Sequence, residues 1–179
     1  MAHPAHLRMQ KPSSPRIPVC RLTTGEALIV WAIRHWVQSV RARLDPRDLL
    51  ARGFATLEAG DGAAQELTQS VDRLLMLTLE QAVSVRDVGC VRCPTLGDGE
   101  RDVLTAIALA QRGRRERALE QVRTWLPEVA TRIAYGEIAL LGRVLQTAGL
   151  TLPLRSDGLE DIWWMDSLAG HQGPSALFH

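Results

Sequence analysis

Apolar residues recur at intervals of three and four along most of this chain, and this spacing constrains the fold more than any other feature. Side chains three or four positions apart lie on one face of an α-helix. Six such segments lie between Thr23 and Gly149, separated by glycine, proline or capping residues. We therefore predict an all-α protein, a compact bundle of about six helices with flexible N- and C-terminal tails.

The first helix is predicted to begin at Thr23. Residues 23–26, Thr-Thr-Gly-Glu, have the spacing of a capping box, in which the first and last side chains each bond the other residue's backbone amide. Residues 27–33 are apolar without interruption, so this helix should be contacted from more than one side. The Asp-Pro pair at 45 and 46 indicates a second helix, which should run to about Ala59.

The same signals delimit the other four helices. The third is expected between the Gly-Asp-Gly breaker at 60–62 and Ala82, and the fourth should end at Gly113. A fifth helix ends near Leu126, and a sixth runs from Pro127 to Gly149. Five residues of the sixth helix are predicted to face inward: Ile133, Leu140, Leu141, Val144 and Ala148.

Residues 104–127 read LTAIALAQRGRRERALEQVRTWLP. Small residues on a first helix, a glycine turn, Ala-Leu on a second helix and a late proline resemble a tetratricopeptide-type helical hairpin. The resemblance covers about one unit, and no second or third copy follows at a period of about 34 residues. The resemblance implies two packed helices. It assigns no peptide-binding residues to this chain, because the matched positions are those that pack the two helices together.

Length and charge limit the domain organisation and the partners. With 179 residues, one core is the default. We divide the chain into a flexible tail (1–21), a helical domain (22–153) and an acidic aromatic tail (154–179).

The formal net charge of +1 argues against general attraction to nucleic acid or to an anionic membrane. We therefore expect another protein as the partner, with the oligomeric state left open.

The expected compartment is the cytoplasm. The first twenty residues contain four prolines and no continuous apolar stretch that could form a secretory signal. No apolar run approaches the length that a membrane span needs. Cytoplasmic cysteines are expected to be thiols or metal ligands before disulfides. Lys11 is the single lysine among 21 basic residues, and we interpret this arginine bias as the codon usage of a bacterial source.

Cys90 and Cys93 are spaced so that both sulfurs could bind one tetrahedral zinc ion. A structural zinc needs four ligands, and Cys20 is the preferred third because its sulfur is soft. The fourth would be one of the five histidines, His3, His6, His35, His171 and His179. Two alternatives remain for the cysteine pair, namely redox chemistry and ordinary structural thiols.

Residues 157–166, DGLEDIWWMD, combine four carboxylates with a cluster of large apolar side chains. Large aromatic residues dominate the hot spots of protein interfaces. We therefore predict a partner-binding segment formed by Ile162, Trp163, Trp164 and Met165. The alternative is that these side chains pack on the chain's own bundle.

Motifs of catalysis do not appear in the sequence. It contains no glycine-rich phosphate loop, no His-Glu-x-x-His and no Gly-x-Ser-x-Gly, so we assign no catalytic residues. Two functional hypotheses remain. The first is a small helical protein-interaction or regulatory module, and the alternative is a zinc-binding or thiol-based protein organised around the turn of Cys90 and Cys93.

Overall fold

The computed structural model describes residues 17–57, 60, 62–84 and 86–155. Both predicted flexible tails lie largely outside this part of the chain. The described residues form an all-α bundle of six helices, as predicted, preceded by the short 3-10 helix Val19–Arg21. An isolated bridge between Pro18 and Thr95 is the only strand-like pairing among them.

The helices are α1 (Thr24–Arg41), α2 (Arg47–Phe54), α3 (Ala63–Gln81), α4 (Asp98–Gln111), α5 (Arg115–Arg123) and α6 (Glu128–Thr147). Their order agrees with the sequence prediction. The clearest difference in length is α2, which ends at Phe54 and not near Ala59. None of the described helices is both long enough and apolar enough to cross a membrane.

Local signals define several helix ends as predicted. Thr23 Oγ1 accepts a hydrogen bond from the Glu26 amide at 3.4 Å, and the Glu26 carboxylate accepts one from the Thr23 amide at 2.8 Å. This is the reciprocal pattern of a capping box. Gly113 and Gly149 follow α4 and α6 with φ of +67° and +74°, a conformation that glycine adopts without steric cost.

The core lies between all six helices. The most extensive contact joins α3 to α6, and α4 packs against both α5 and α6, so that α4 and α5 form the expected helical hairpin. Helix α1 contacts α2, α3 and α4, which confirms that it is surrounded on more than one side. The largest fully buried side chains include Ile29, Phe54, Leu67, Leu74, Ile107, Trp125, Ile138 and Leu145.

Two apolar residues near helices are exposed, one of which, Ile133, was predicted to face inward. Leu44 is 65% exposed because α1 ends at Arg41, and Ile133 is 55% exposed on α6. Helix α6 instead buries Ala130 and Ala134, whose small side chains permit close helix contact. The prediction for Ile133 was wrong because the spacing of large apolar residues placed the buried face of α6 incorrectly.

Candidate functional site

The chain between α3 and α4 contains both closely spaced cysteines, in residues 89–97, here called the cysteine loop. Cys90 and Cys93 are joined by a disulfide. The Cys93 amide donates to the Cys90 carbonyl at 2.9 Å, and the Cys90 amide lies 3.0 Å from Cys93 Sγ. The four residues from 90 to 93 therefore form a closed turn with the disulfide across it.

This disulfide corrects the expectation that both cysteines are thiols or metal ligands. Their Cα atoms lie 5.0 Å apart, within the range that a disulfide requires. Residue spacing alone could not decide the matter, because the same two-residue interval suits a metal clamp, a thiol pair and a disulfide. The conformation of the turn is what brings the sulfurs into bonding distance.

Cys20 adjoins the cysteine loop but remains a free, exposed thiol. The amide of its neighbour Val19 donates to the Pro94 carbonyl at 2.7 Å. Across the part of the chain that the structure describes, no group of three or more Cys, His, Asp or Glu side chains could hold a metal ion. Cysteine binds zinc as a thiolate, so a site formed by Cys20, Cys90 and Cys93 applies to the reduced protein alone and stays a prediction.

A buried ion pair lies directly beneath the cysteine loop. Arg34 of α1 is 4% exposed, and Glu100 of α4 is fully buried. Arg34 Nε donates to Glu100 Oε1 at 2.7 Å, and its Nη2 donates to Oε2 at 3.0 Å. This two-point geometry gives strong, directional hydrogen bonds between charged groups.

The same ion pair bonds the backbone of the cysteine loop. Arg34 donates to the carbonyl of Cys93 at 2.7 Å and to that of Thr95 at 2.8 Å. Glu100 accepts from the amides of Gly89 at 3.2 Å and Gly97 at 2.8 Å. The pair thus attaches both ends and the centre of the loop to α1 and α4.

Two glycines allow this close approach. A Cβ atom added at Gly89 would lie 2.6 Å from Arg34 Nη2, and one at Gly97 would overlap the carbonyl oxygen of Asp87. Sequence reasoning singled out the turn but missed Arg34 and Glu100. In sequence they resemble ordinary surface charges, and the one available signal was that Arg34 directly follows the uninterrupted apolar run of residues 27–33.

The two cysteines differ in exposure, since Cys90 is exposed and Cys93 is half-buried. A groove of about 560 Å³ lies beside Cys90, between α1 and the cysteine loop. Its lining includes Val37, Gln38, Arg41, Val91 and Arg92. Cys90 is among the residues that line this groove, and Cys93 is not.

The predicted partner-binding residues Ile162, Trp163, Trp164 and Met165 lie outside the described residues. No family model, curated protein or solved structure matches this chain. Within the described ranges, the cysteine loop is the feature with the clearest chemical capability, because a disulfide can accept two electrons.

Proposed function

We propose that this protein is a thiol–disulfide exchange module, in which Cys90 and Cys93 form a reversible two-electron carrier. The observation that carries the proposal is a disulfide with one exposed cysteine, Cys90, on a loop attached to a buried ion pair. Exposed disulfides are typically the labile and catalytic ones, whereas structural disulfides resist reduction. A cytoplasmic location, which we expect from the sequence, would also favour a transient disulfide.

The short separation of the cysteines supports a chemical role over a structural one. A disulfide stabilises a fold mainly by closing a loop in the unfolded chain, and the effect grows with loop length. Cys90 and Cys93 are three positions apart, so their bond closes a very short loop. The six helices already supply a continuous core, which leaves little for this bond to stabilise.

Exchange with a partner dithiol proceeds through one mixed disulfide. A partner thiolate attacks Cys90 Sγ, a new S–S bond forms, the Cys90–Cys93 bond breaks, and the electron pair leaves on Cys93 as a thiolate. The partner's second thiolate then attacks the partner sulfur of the mixed disulfide and releases Cys90. The partner gains a disulfide, and its two protons end on Cys90 and Cys93.

The surroundings of Cys93 suit it as the leaving sulfur. The Cys90 amide lies 3.0 Å from Cys93 Sγ and can stabilise negative charge there. The Arg34 guanidinium, which is paired with Glu100, donates to the carbonyl of the same cysteine and so fixes the backbone of the turn. Because Arg34 and Glu100 hold the loop backbone, both sulfurs should stay close together after reduction.

A redox titration tests the proposal. The protein with Cys20→Ser, which removes the third thiol, is equilibrated in thiol–disulfide buffers and labelled with a mass-tagged maleimide. We expect one reversible two-electron transition at a potential above about −300 mV, where structural disulfides remain oxidised. A bond that stays oxidised throughout the glutathione range would contradict the exchange function.

A trapping experiment separates the roles of the two sulfurs. In the Cys20→Ser background, Cys93→Ser leaves Cys90 as the lone thiol and should accumulate a mixed disulfide with oxidised glutathione. The matched Cys90→Ser variant should react more slowly, because Cys93 is half-buried. Equal rates would contradict the assignment of Cys90. Zinc near one equivalent in the reduced protein that retains Cys20, lost in the single Cys90→Ser and Cys93→Ser variants, would instead support the metal-binding alternative.

A further inference from the structure

We propose that the groove beside Cys90 binds an extended acidic peptide segment of a partner protein, so that the disulfide exchanges preferentially with cysteines flanked by carboxylates. This inference rests on the thiol–disulfide function proposed above and names the substrate class of that site. Its evidence is the charge, the apolar surface and the length of the groove.

Two arginines give the groove positive charge. Arg41 of α1 and Arg92 of the cysteine loop both line it, and both are exposed. Neither forms an ion pair with any residue that the structure describes. Arg34 also lines the groove, but its guanidinium is already bonded to Glu100 and to two loop carbonyls. Arg41 and Arg92 are therefore the cations available to carboxylates of a ligand.

Apolar surface lies beside these cations. Val91, between the two cysteines in sequence, is 38% exposed, and Val37 of α1 is half-buried in the same groove. Gln38 adds an exposed amide that can both donate and accept hydrogen bonds. This combination suits a peptide, which presents backbone amides and carbonyls together with apolar and charged side chains.

The length of the groove favours several peptide residues over a small thiol. Arg34 and Arg41 are seven positions apart on α1, which corresponds to roughly 10 Å along the helix axis. An extended peptide covers that distance with about three residues at about 3.3 Å each. A cysteine of the bound peptide that lies opposite Cys90 would then place its neighbouring peptide residues near Arg41 and Arg92.

The two arginines should contribute unequally. Asp87 and Arg41 both line an adjoining groove of about 480 Å³, so the Asp87 carboxylate offsets part of the positive potential at Arg41. Among the residues that the structure describes, no carboxylate lines the groove that contains Arg92. We therefore expect Arg92 to account for the larger share of the preference for acidic peptides.

The test compares two reduced six-residue peptides that differ only in Asp-Cys-Asp against Asn-Cys-Asn. The measured step is attack of the peptide thiolate on Cys90, which forms the mixed disulfide and releases the Cys93 thiolate. Rates are taken per thiolate, in protein carrying Cys20→Ser. The acidic peptide should react about tenfold faster at low salt, and about 1 M salt should remove most of that difference.

Charge variants identify the residues responsible. Arg92→Gln should lower the rate of the acidic peptide several-fold more than that of the neutral peptide, and Arg41→Gln should have a smaller effect in the same direction. Arg117→Gln is the matched control, since Arg117 is exposed on α5, outside the groove, and loses the same charge. An equal effect of Arg117→Gln would overturn the inference.

The outcomes distinguish this inference from the exchange function. Equal rates for both peptides in the unsubstituted groove would overturn the acidic preference and leave the exchange function intact. Reaction with neither peptide would overturn the exchange function itself. Reduced glutathione reacting as fast per thiolate as the acidic peptide would overturn the choice of a protein segment and indicate a small acidic thiol as the substrate.

Discussion

Arg34 and Glu100 bring opposite charges into the interior, where an unpaired charge is far less stable than in water. Each side chain also bonds two backbone groups of the cysteine loop. Loss of either residue would leave the other charge buried without its counter-ion and would remove two attachments of the loop. The pair therefore couples stability of the fold to the position of the disulfide.

Replacement of Arg34 by methionine should lower the free energy of unfolding by about 3–5 kcal/mol, because Glu100 then remains buried and unpaired. Urea denaturation followed by circular dichroism measures this change. The control is Arg132→Met, which breaks an ion pair with Glu128 in which both side chains are exposed. It should produce no measurable change. Equal urea midpoints for wild type and Arg34→Met would contradict a stabilising role of the ion pair between Arg34 and Glu100.

Asp45 provides a prediction about pH. Hydrogen bonds from the Arg47 side chain and then from its backbone amide lower the pKa of Asp45 from 3.8 to about 2. A lowered pKa in the folded state contributes stability above about pH 4, and that contribution is lost as the pH falls toward 2. Arg47→Gln should return the Asp45 pKa toward 3.8, as followed by NMR titration of its carboxyl carbon. A pKa still near 2 would rule out the Arg47 side chain as the main cause.

Among the elements, the cysteine loop has no regular secondary structure but is held at several points. Its backbone bonds Arg34 and Glu100, and the Leu96 amide donates to the Ile17 carbonyl at 2.9 Å. Val83, which follows α3, is attached to the chain just after α5, because its amide donates to the Trp125 carbonyl at 3.0 Å. These contacts keep the disulfide in one position relative to α1.

Gly97→Ala should destabilise the protein by about 1–3 kcal/mol, because the new methyl group would overlap the Asp87 carbonyl oxygen. That oxygen is itself held by the Gly99 amide at 2.9 Å, so it cannot move freely. The matched control is Gly136→Ala inside α6, where a Cβ meets nothing within 4 Å. It should stabilise the helix by about 0.5–1 kcal/mol. The midpoint temperature of thermal unfolding should therefore fall for Gly97→Ala and rise for Gly136→Ala. Equal shifts in the two variants would refute the packing argument.

For the whole molecule, the last described residues complete the helical core. Leu152 is fully buried, and its amide donates to Gln111 Oε1 at 2.8 Å. Gln111 Nε2 in turn donates to the Leu150 carbonyl at 2.9 Å. The bundle thus depends on residues beyond the end of α6, and a truncation has to preserve them.

A chain ending after Arg155 should keep its helical circular dichroism and nearly its full thermal stability if Trp163 and Trp164 serve a partner. The same truncated chain should no longer bind the partner protein that the full chain captures. A chain ending after Gly149 is the contrasting variant, because loss of the fully buried Leu152 should destabilise the core by about 2–5 kcal/mol. Insolubility or a large loss of stability in the longer truncation would show that the tryptophans belong to the fold.

The sequence by itself determined the helices and many of their ends. The capping box at Thr23 and the glycine ends at Gly113 and Gly149 were predictable because each depends on residues a few positions apart. Periodicity likewise indicated the surrounded helix α1. It failed at Ile133, since the buried face of α6 depends on which neighbouring helices approach it.

Only the tertiary structure decided the bonding and the surroundings of the cysteine turn. Arg34 and Glu100 are 66 positions apart, and no local pattern marks two such charges as partners. Their pairing requires α1 and α4 to pack side by side, after which burial makes the ion pair and its backbone bonds obligatory. The disulfide and the groove beside it follow from the same packing, because contacts between elements distant in the chain set the conformation of the loop.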